Sequence, residues 1–165
     1  MPSQKDLINR LCKNLPAGQL QWIGLRSAHK GEVVSVNEVQ ALPGQGLEGD
    51  HRATKTPGSA RQVTLISTEF IGQIGAHLNL GSINPALLRR NLVVQGINLN
   101  ALRYQRVQIG NVILEAGALC HPCSRMEQAL GSGAVAAMLG YGGLCAKITQ
   151  GGTLRVGDRV TKLDD

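Results

Sequence analysis

Near the start of the chain the apolar residues recur at helical spacing. Leu7, Ile8, Leu11, Cys12 and Leu15 share one stripe, which predicts a helix over 4–15 with a packing face. Ser3 and Asp6 form an N-cap pair, and Pro16 follows the end. From Leu20 the period shortens to two. Leu20 alternates with Trp22, and Val34 with Val36 beyond a Lys30-Gly31 turn, which predicts short strands. Arg61 to Ser67 reads as a strand with Val63 and Leu65 on one face. Ser67 then caps a helix that turns Phe70, Ile71, Ile74 and Leu78 inward, and Asn84-Pro85 starts a turn or short helix. Leu92-Val93-Val94 predicts a buried strand stopped by Gly96, and Val107–Ile109 pairs with Val112–Leu114 around Gly110-Asn111. Met126 and Leu130 share a face of a short helix after Cys123, with a second short helix over 132–138. Leu144 to Thr149 and Leu154 to Val160 predict a closing hairpin around Gly151-Gly152.

Many short strands, glycine-rich turns (21 Gly in 165 residues) and few helices predict a mainly β, α+β fold. The expected form is a twisted, barrel-like sheet with a few peripheral helices. Strands do not alternate with long helices, which argues against a doubly wound sheet. We expect one domain over 1–165, with 1–19 as an N-terminal helical extension. A hydrophobic share of 42% against 17% charged residues excludes a disordered chain. The apolar runs are too short for a membrane helix, and Met1–Lys13 holds no signal-peptide core, so the expectation is a cytoplasmic protein with no membrane partner. Four cysteines in such a chain read as thiols rather than a disulfide framework. The net charge of +6 suits an anionic ligand. Trp22, Phe70, Tyr104 and Tyr141 are the only aromatics, and the basic residues are dispersed. That weighs against a nucleic-acid partner and leaves a duplex-backbone binder as the weaker reading.

The chemistry concentrates in Cys120-His121-Pro122-Cys123-Ser124-Arg125. A thiol at a helix start beside a cation favours the thiolate, which binds metals or attacks electrophiles. A structural zinc site needs a second ligand pair, and neither Cys12 nor Cys145 lies in one. A dithiol couple fits the C-x-x-C spacing, but the usual βαβ context is missing. A third reading makes one cysteine a soft ligand for a metal held mostly by a cofactor, with Arg89, Arg90 and Asn91 receiving an anionic tail. By spacing alone those three residues read rather as a solvated strand end. Leu42 to Arg52 is glycine-rich without the spacing of a phosphate-binding loop. Its Asp50 and His51 either line a pocket or form a loop salt bridge with Arg52. His121 is a proton donor or merely exposed, Glu127 reaches the Cys123 face or is solvated, and Cys12 and Cys145 read as core.

Several blocks in order carry a resemblance to a known family: 46–52 (Gly46 to Arg52), 61–66 (Arg61 to Ile66), 89–96 (Arg89 to Gly96), Ile109-Gly110, Leu114-Glu115, Pro122-Cys123 and Leu154 to Asp158. From about Trp22 to Val160 the chain resembles the MOSC domain family, named after the C-terminal domain of molybdenum cofactor sulfurase. The resemblance implies a barrel-like fold that binds the molybdenum cofactor (molybdopterin). It implies Cys123 as the molybdenum ligand or sulfur carrier, and Arg89 and Asn91 near the pterin phosphate; Asp50 and His51 are further candidates to line that pocket, beside their reading as a loop salt bridge with Arg52. Family reductases remove oxygen from N-hydroxylated bases and amidoximes, with electrons here coming from a separate donor protein. The pyridoxal-phosphate domain of the sulfurases has no counterpart in this sequence, so no bound pyridoxal phosphate is expected. Sulfur or cofactor carriage, a thiol redox protein using Cys120 and Cys123, and a non-catalytic anion or nucleic-acid module are the competing readings.

Overall fold

Ser3 caps the first helix reciprocally. Its Oγ accepts from the Asp6 N–H at 3.1 Å, and the Asp6 carboxylate accepts from the Ser3 N–H at 3.1 Å. The computed structural model describes residues 1–28 and 31–164, so the Lys30 half of the expected turn lies outside the described residues. Helix α1 (Gln4–Leu11) stops short of Leu15, and its stripe is not a packing face: none of its residues is buried, and Leu7 and Leu11 are exposed. Cys12 is only half-buried.

The strands are β1 (Gly18–Arg26), β2 (Val33–Val36), β3 (Glu38–Leu42), β4 (Gly46–Leu47), β5 (Val63–Ser67), β6 (Leu92–Gln95), β7 (Arg106–Ile109), β8 (Val112–Leu119), β9 (Leu144–Gln150), β10 (Gly152–Arg155) and β11 (Arg159–Leu163). Hydrogen bonding runs β11-β7-β8-β9-β5-β6-β1, and β11 pairs back onto β1 through Gly18–Val160 and Gln19–Arg159. A ring of seven strands results, with β2 added outside it along β1. Closure removes the exposed sheet edges that a flat arrangement would leave. A smaller sheet, β10-β3-β4, lies beside the ring.

Alternation sorts the side chains. Val63, Leu65, Leu92, Val94, Leu114 and Ile148 fill the barrel. Ile66 and Val93 point outward, into a second cluster against α2 (Thr68–Leu78), α3 (Ser124–Leu130) and α4 (Ala134–Met138). Every residue of β5 is therefore buried, as a strand covered on both faces must be. β5 and β6 are parallel, and α2 makes the crossover that such a pair requires. Full burial of a side chain such as Ile66 contributes about 2–3 kcal/mol. Ser67 Oγ accepts from the Phe70 N–H at 3.0 Å and starts α2 where the sequence predicts.

Three local expectations are corrected. Trp22 does not share a face with Leu20, because β1 bulges between them against β6. The bulge lets Leu20 and Ile23 both enter the barrel and sends Trp22 to the outer cluster. The glycine-rich connection contains structure: β4, and a 3-10 turn over His51–Thr54. The closing hairpin is absent. β9 pairs with β8 and β5, β10 with β3, and β11 with β7 and β1, so the segment read as Leu154–Val160 belongs to two sheets. The break is a turn in which Asp158 accepts from the Arg155 N–H at 2.8 Å.

Between α4 and β9 the chain presses against β5. Gly143 has φ +90, and a Cβ there would fall on the carbonyl oxygen of Leu65. Gly140 has φ +83 but open space around it. Gly143→Ala is expected to lower stability by about 3 kcal/mol or more, and Gly140→Ala by about 1 kcal/mol. Urea unfolding of both variants checks this; equal losses would show that crowding against β5 is not the constraint.

Candidate functional site

The start of β6 is built on Asn91, which is 1% exposed. Its Oδ1 accepts from the Thr64 N–H at 3.1 Å and from Thr64 Oγ1 at 3.2 Å. Its Nδ2 donates to the Gly24 carbonyl at 3.0 Å and to Asp50 Oδ1 at 3.2 Å. One amide thereby ties β5, β1 and the loop after β4. Asp50, 2% exposed, also accepts from the Arg26 N–H at 2.8 Å and, through Oδ2, from the Arg52 N–H at 3.1 Å. Its ion pair is with the Arg26 guanidinium, Nε to Oδ1 3.8 Å, rather than the Arg52 partner that the sequence suggests. His51 opens the adjoining 3-10 turn, half-buried, and its carbonyl accepts the Thr54 hydroxyl at 2.7 Å.

Around this junction stand Arg26, Arg52, Arg61, Arg89 and Arg90. Burial pulls Arg26, Arg52, Arg89 and Arg90 below the usual arginine range. Neighbouring guanidiniums pull further: Arg61 and Arg26 on Arg52, and Arg125 on Arg89. Guanidinium stays charged regardless, so positive charge concentrates here. Arg90 is not at a solvated strand end. It is buried and donates from Nε to the Gly142 carbonyl at 2.8 Å, from Nη1 to the Leu88 carbonyl at 2.9 Å and from Nη2 to the Cys120 carbonyl at 3.3 Å. Arg89 follows the 3-10 turn Pro85–Leu88 and takes the left-handed conformation (φ 58), uncommon for a branched-free but long side chain. Its Nη1 donates to the Gly31 carbonyl at 2.9 Å, while its Nη2 is buried with no hydrogen-bond partner among the described residues. Arg26 Nε and Arg61 Nε share that condition.

The two thiols of C-x-x-C part company. Cys123 is exposed and caps the seven-residue α3 without any side-chain capping bond. It is not itself in the lining but immediately precedes Ser124 in a cleft of about 890 Å³, lined by Ser124, Arg125 and Gln128 of α3, by Asn84, Ala86 and Arg89 around the 3-10 turn before β6, and by Glu32 and Val33 at the start of β2. Cys123 and Arg125 both act electrostatically on Arg89, so thiol and guanidiniums form one neighbourhood. Cys120 is buried beside Cys145, and a hydrogen bond between the two free thiols is the main influence on the ionisation of both. That bond, with Arg90, Arg61 and Arg52 beyond it, lowers Cys120 to about 6. The same bond, burial and the Cys120 charge push Cys145 upward.

Cys145 is buried, as the apolar run predicts, but on the outer face of β9: Leu144 and Ala146 enter the barrel and Cys145 turns away from it. Strict alternation along β9 was the available signal. Arg26 and Arg61, single basic residues at strand ends, carried no comparable one. Glu127 is not a solvated carboxylate. It accepts from the Gly133 N–H at 2.8 Å and the Val135 N–H at 3.1 Å, tying α3 to α4. His121 is exposed.

Asn91→Ala is expected to cost about 3 kcal/mol in urea unfolding, because it leaves buried donors and acceptors unpaired. A loss below about 1 kcal/mol would mean that water replaces the amide. In wild type the ultraviolet thiolate absorbance is expected to rise as pH increases through about 6. That step should vanish in Cys120→Ser and shift upward in Arg90→Gln.

The sequence profile of the MOSC domain matches residues 50–161. Among curated proteins none matches the sequence. Solved structures do match in fold. The YuaD protein of Bacillus subtilis superposes with a TM-score of 0.76 at 18% identity, over 88% of this chain and 94% of that one. YiiM of Escherichia coli gives 0.68 at 15% identity, over 89% and 70%. YiiM of Geobacillus stearothermophilus gives 0.68 at 13%, over 88% and 75%. With its seven-strand barrel, and a match that spans most of its length, this chain belongs to the MOSC domain family.

Proposed function

We propose that the chain binds the molybdenum cofactor at the Cys123 cleft and reduces N-hydroxylated substrates with electrons from a separate donor protein. The observation that carries this reading is an exposed thiol beside a cleft whose walls include Arg89 and Arg125, with Arg89 Nη2 lacking an acceptor among the described residues. The donor set fits the group. A thiolate is the protein's soft ligand for a transition metal, and a guanidinium matches a phosphate in charge and geometry. The cleft's open volume suits a pterin with its phosphate tail.

In this reading Cys123 holds the metal and Arg89 faces the phosphate. Asn91 and Asp50 act as positioning residues: their side-chain atoms are committed to protein partners, and they fix the backbone from which Arg89 projects. His51 shapes the loop that carries Asp50. The bound cofactor would supply two-electron redox chemistry; the chain supplies binding, orientation and a positive field. Sulfur carriage at Cys123 is the second reading, favoured by the same exposure of its thiol, which lets a transferred sulfur reach a partner.

Protein made in a cofactor-competent host is expected to retain stoichiometric molybdenum with pterin fluorescence, and Cys123→Ser to lose the metal. Arg89→Gln should weaken retention roughly tenfold or more, the size of one charge-assisted hydrogen bond. Wild type that retains no molybdenum under those conditions overturns the proposal. Retained molybdenum without reduction of an amidoxime by a chemical donor would favour carriage.

A further inference from the structure

Cys120 and Cys145 take no part in that reading, yet they are built into a site of their own. Leu119 pairs with Leu144 across β8 and β9, and both leucines face the barrel. The alternation therefore turns Cys120 and Cys145 to the outer face, diagonal to one another, as two free buried thiols that influence each other's ionisation. The Cys120 N–H donates to the Gly143 carbonyl at 2.8 Å and fixes the approach. Arg90 holds the Cys120 carbonyl, and Arg61 and Arg52 face the sulfur from the chain before β5 and from the 3-10 turn. Residues 120–123 belong to no helix except as the cap of α3, so Cys120 can close on its partner without unpicking a strand.

We propose that Cys120 and Cys145 form a second thiol site, separate from Cys123, that reduces a small hydroperoxide and closes to a disulfide. The Cys120 thiolate attacks a peroxide oxygen. An S–O bond forms, the O–O bond breaks, and the hydroxide (or alkoxide) that leaves takes up a proton. The Cys145 sulfur then attacks the resulting sulfenic acid. An S–S bond forms, the S–O bond breaks, and hydroxide leaves with the Cys145 proton as water. Two thiols lose two electrons, and the peroxide gains them. Arginines around the sulfur favour the attacking anion and stabilise the charge on the departing oxygen. Cys145, held protonated, carries the proton that the second step needs. Burial selects the oxidant: with Cys120 2% and Cys145 8% exposed, a small hydroperoxide can enter and a bulky disulfide cannot.

The fully reduced protein, given hydrogen peroxide, then denatured, alkylated and cut with trypsin, tests this. Trypsin releases Cys120 and Cys123 together on peptide 107–125 and Cys145 on 126–147. The expected product joins these peptides through Cys120, with the alkyl group on Cys123. Cys123→Ser should form the same linkage while failing to retain molybdenum, which separates this site from the cofactor proposal. In Cys145→Ser, or in Cys145→Ala if that variant folds better, dimedone should capture a sulfenic acid at Cys120. Linkage through Cys123, a Cys120 left fully alkylated after peroxide treatment, or linkage driven equally well by oxidised glutathione overturns the proposal.

Discussion

The Asn91 amide is the constraint on which the rest depends. It fastens the start of β6 to β5 through Thr64, to β1 through Gly24, and to the loop after β4 through Asp50. Burying an amide and a carboxylate together is costly unless each polar atom finds a partner, and here the two satisfy one another and three backbone segments. The parallel pair β5–β6 has no turn to set its register, so this side-chain bridge supplies what a hairpin turn supplies elsewhere in the ring. Arg89 and Arg90 immediately precede Asn91, so the bridge also fixes where the guanidiniums start.

Positive charge is what the bridge positions. Arg26, Arg52, Arg61, Arg89 and Arg90 converge around one ion-paired carboxylate and one acidic thiol, and burial and mutual repulsion destabilise the charged forms of Arg26, Arg52, Arg89 and Arg90. Arg90 is kept in place by three carbonyl oxygens, which accept its hydrogen bonds without cancelling its charge. Such an arrangement is unfavourable for folding alone and favourable for receiving an anion.

Legibility in the sequence follows the range of each interaction. The capping box at Ser3, the Ser67 cap and the Gly110-Asn111 hairpin are decided by residues three or four apart, and all three form where expected. The β9–β10 hairpin failed because glycines allow a turn without dictating it, and the partners of β10 lie more than a hundred residues earlier in β3. Val39 and Ala41 alternate as a strand should, yet β3 is not among the expected elements, because its pairing with β10 is remote and the glycine-rich connection starts at its last residue, Leu42. At the site, Cys123 and Arg89 stood out by local pattern. The pairing of Cys120 with Cys145 could not, because it depends on which face of β9 meets the end of β8. The family resemblance supplied the order of the blocks, and the sheet register supplied what touches what.

The ring is closed by its first and last strands, β1 and β11. During synthesis β1 leaves the ribosome long before β11 exists; β2 can pair along Ile23–Arg26 of that edge, but its Gly18–Gln19 end must wait while the other strands are made. Folding of the barrel is therefore tied to contacts of very large sequence separation, which places it among the slow topologies. Until Val160 meets Gly18, the nascent chain presents a strand edge that other chains can pair with.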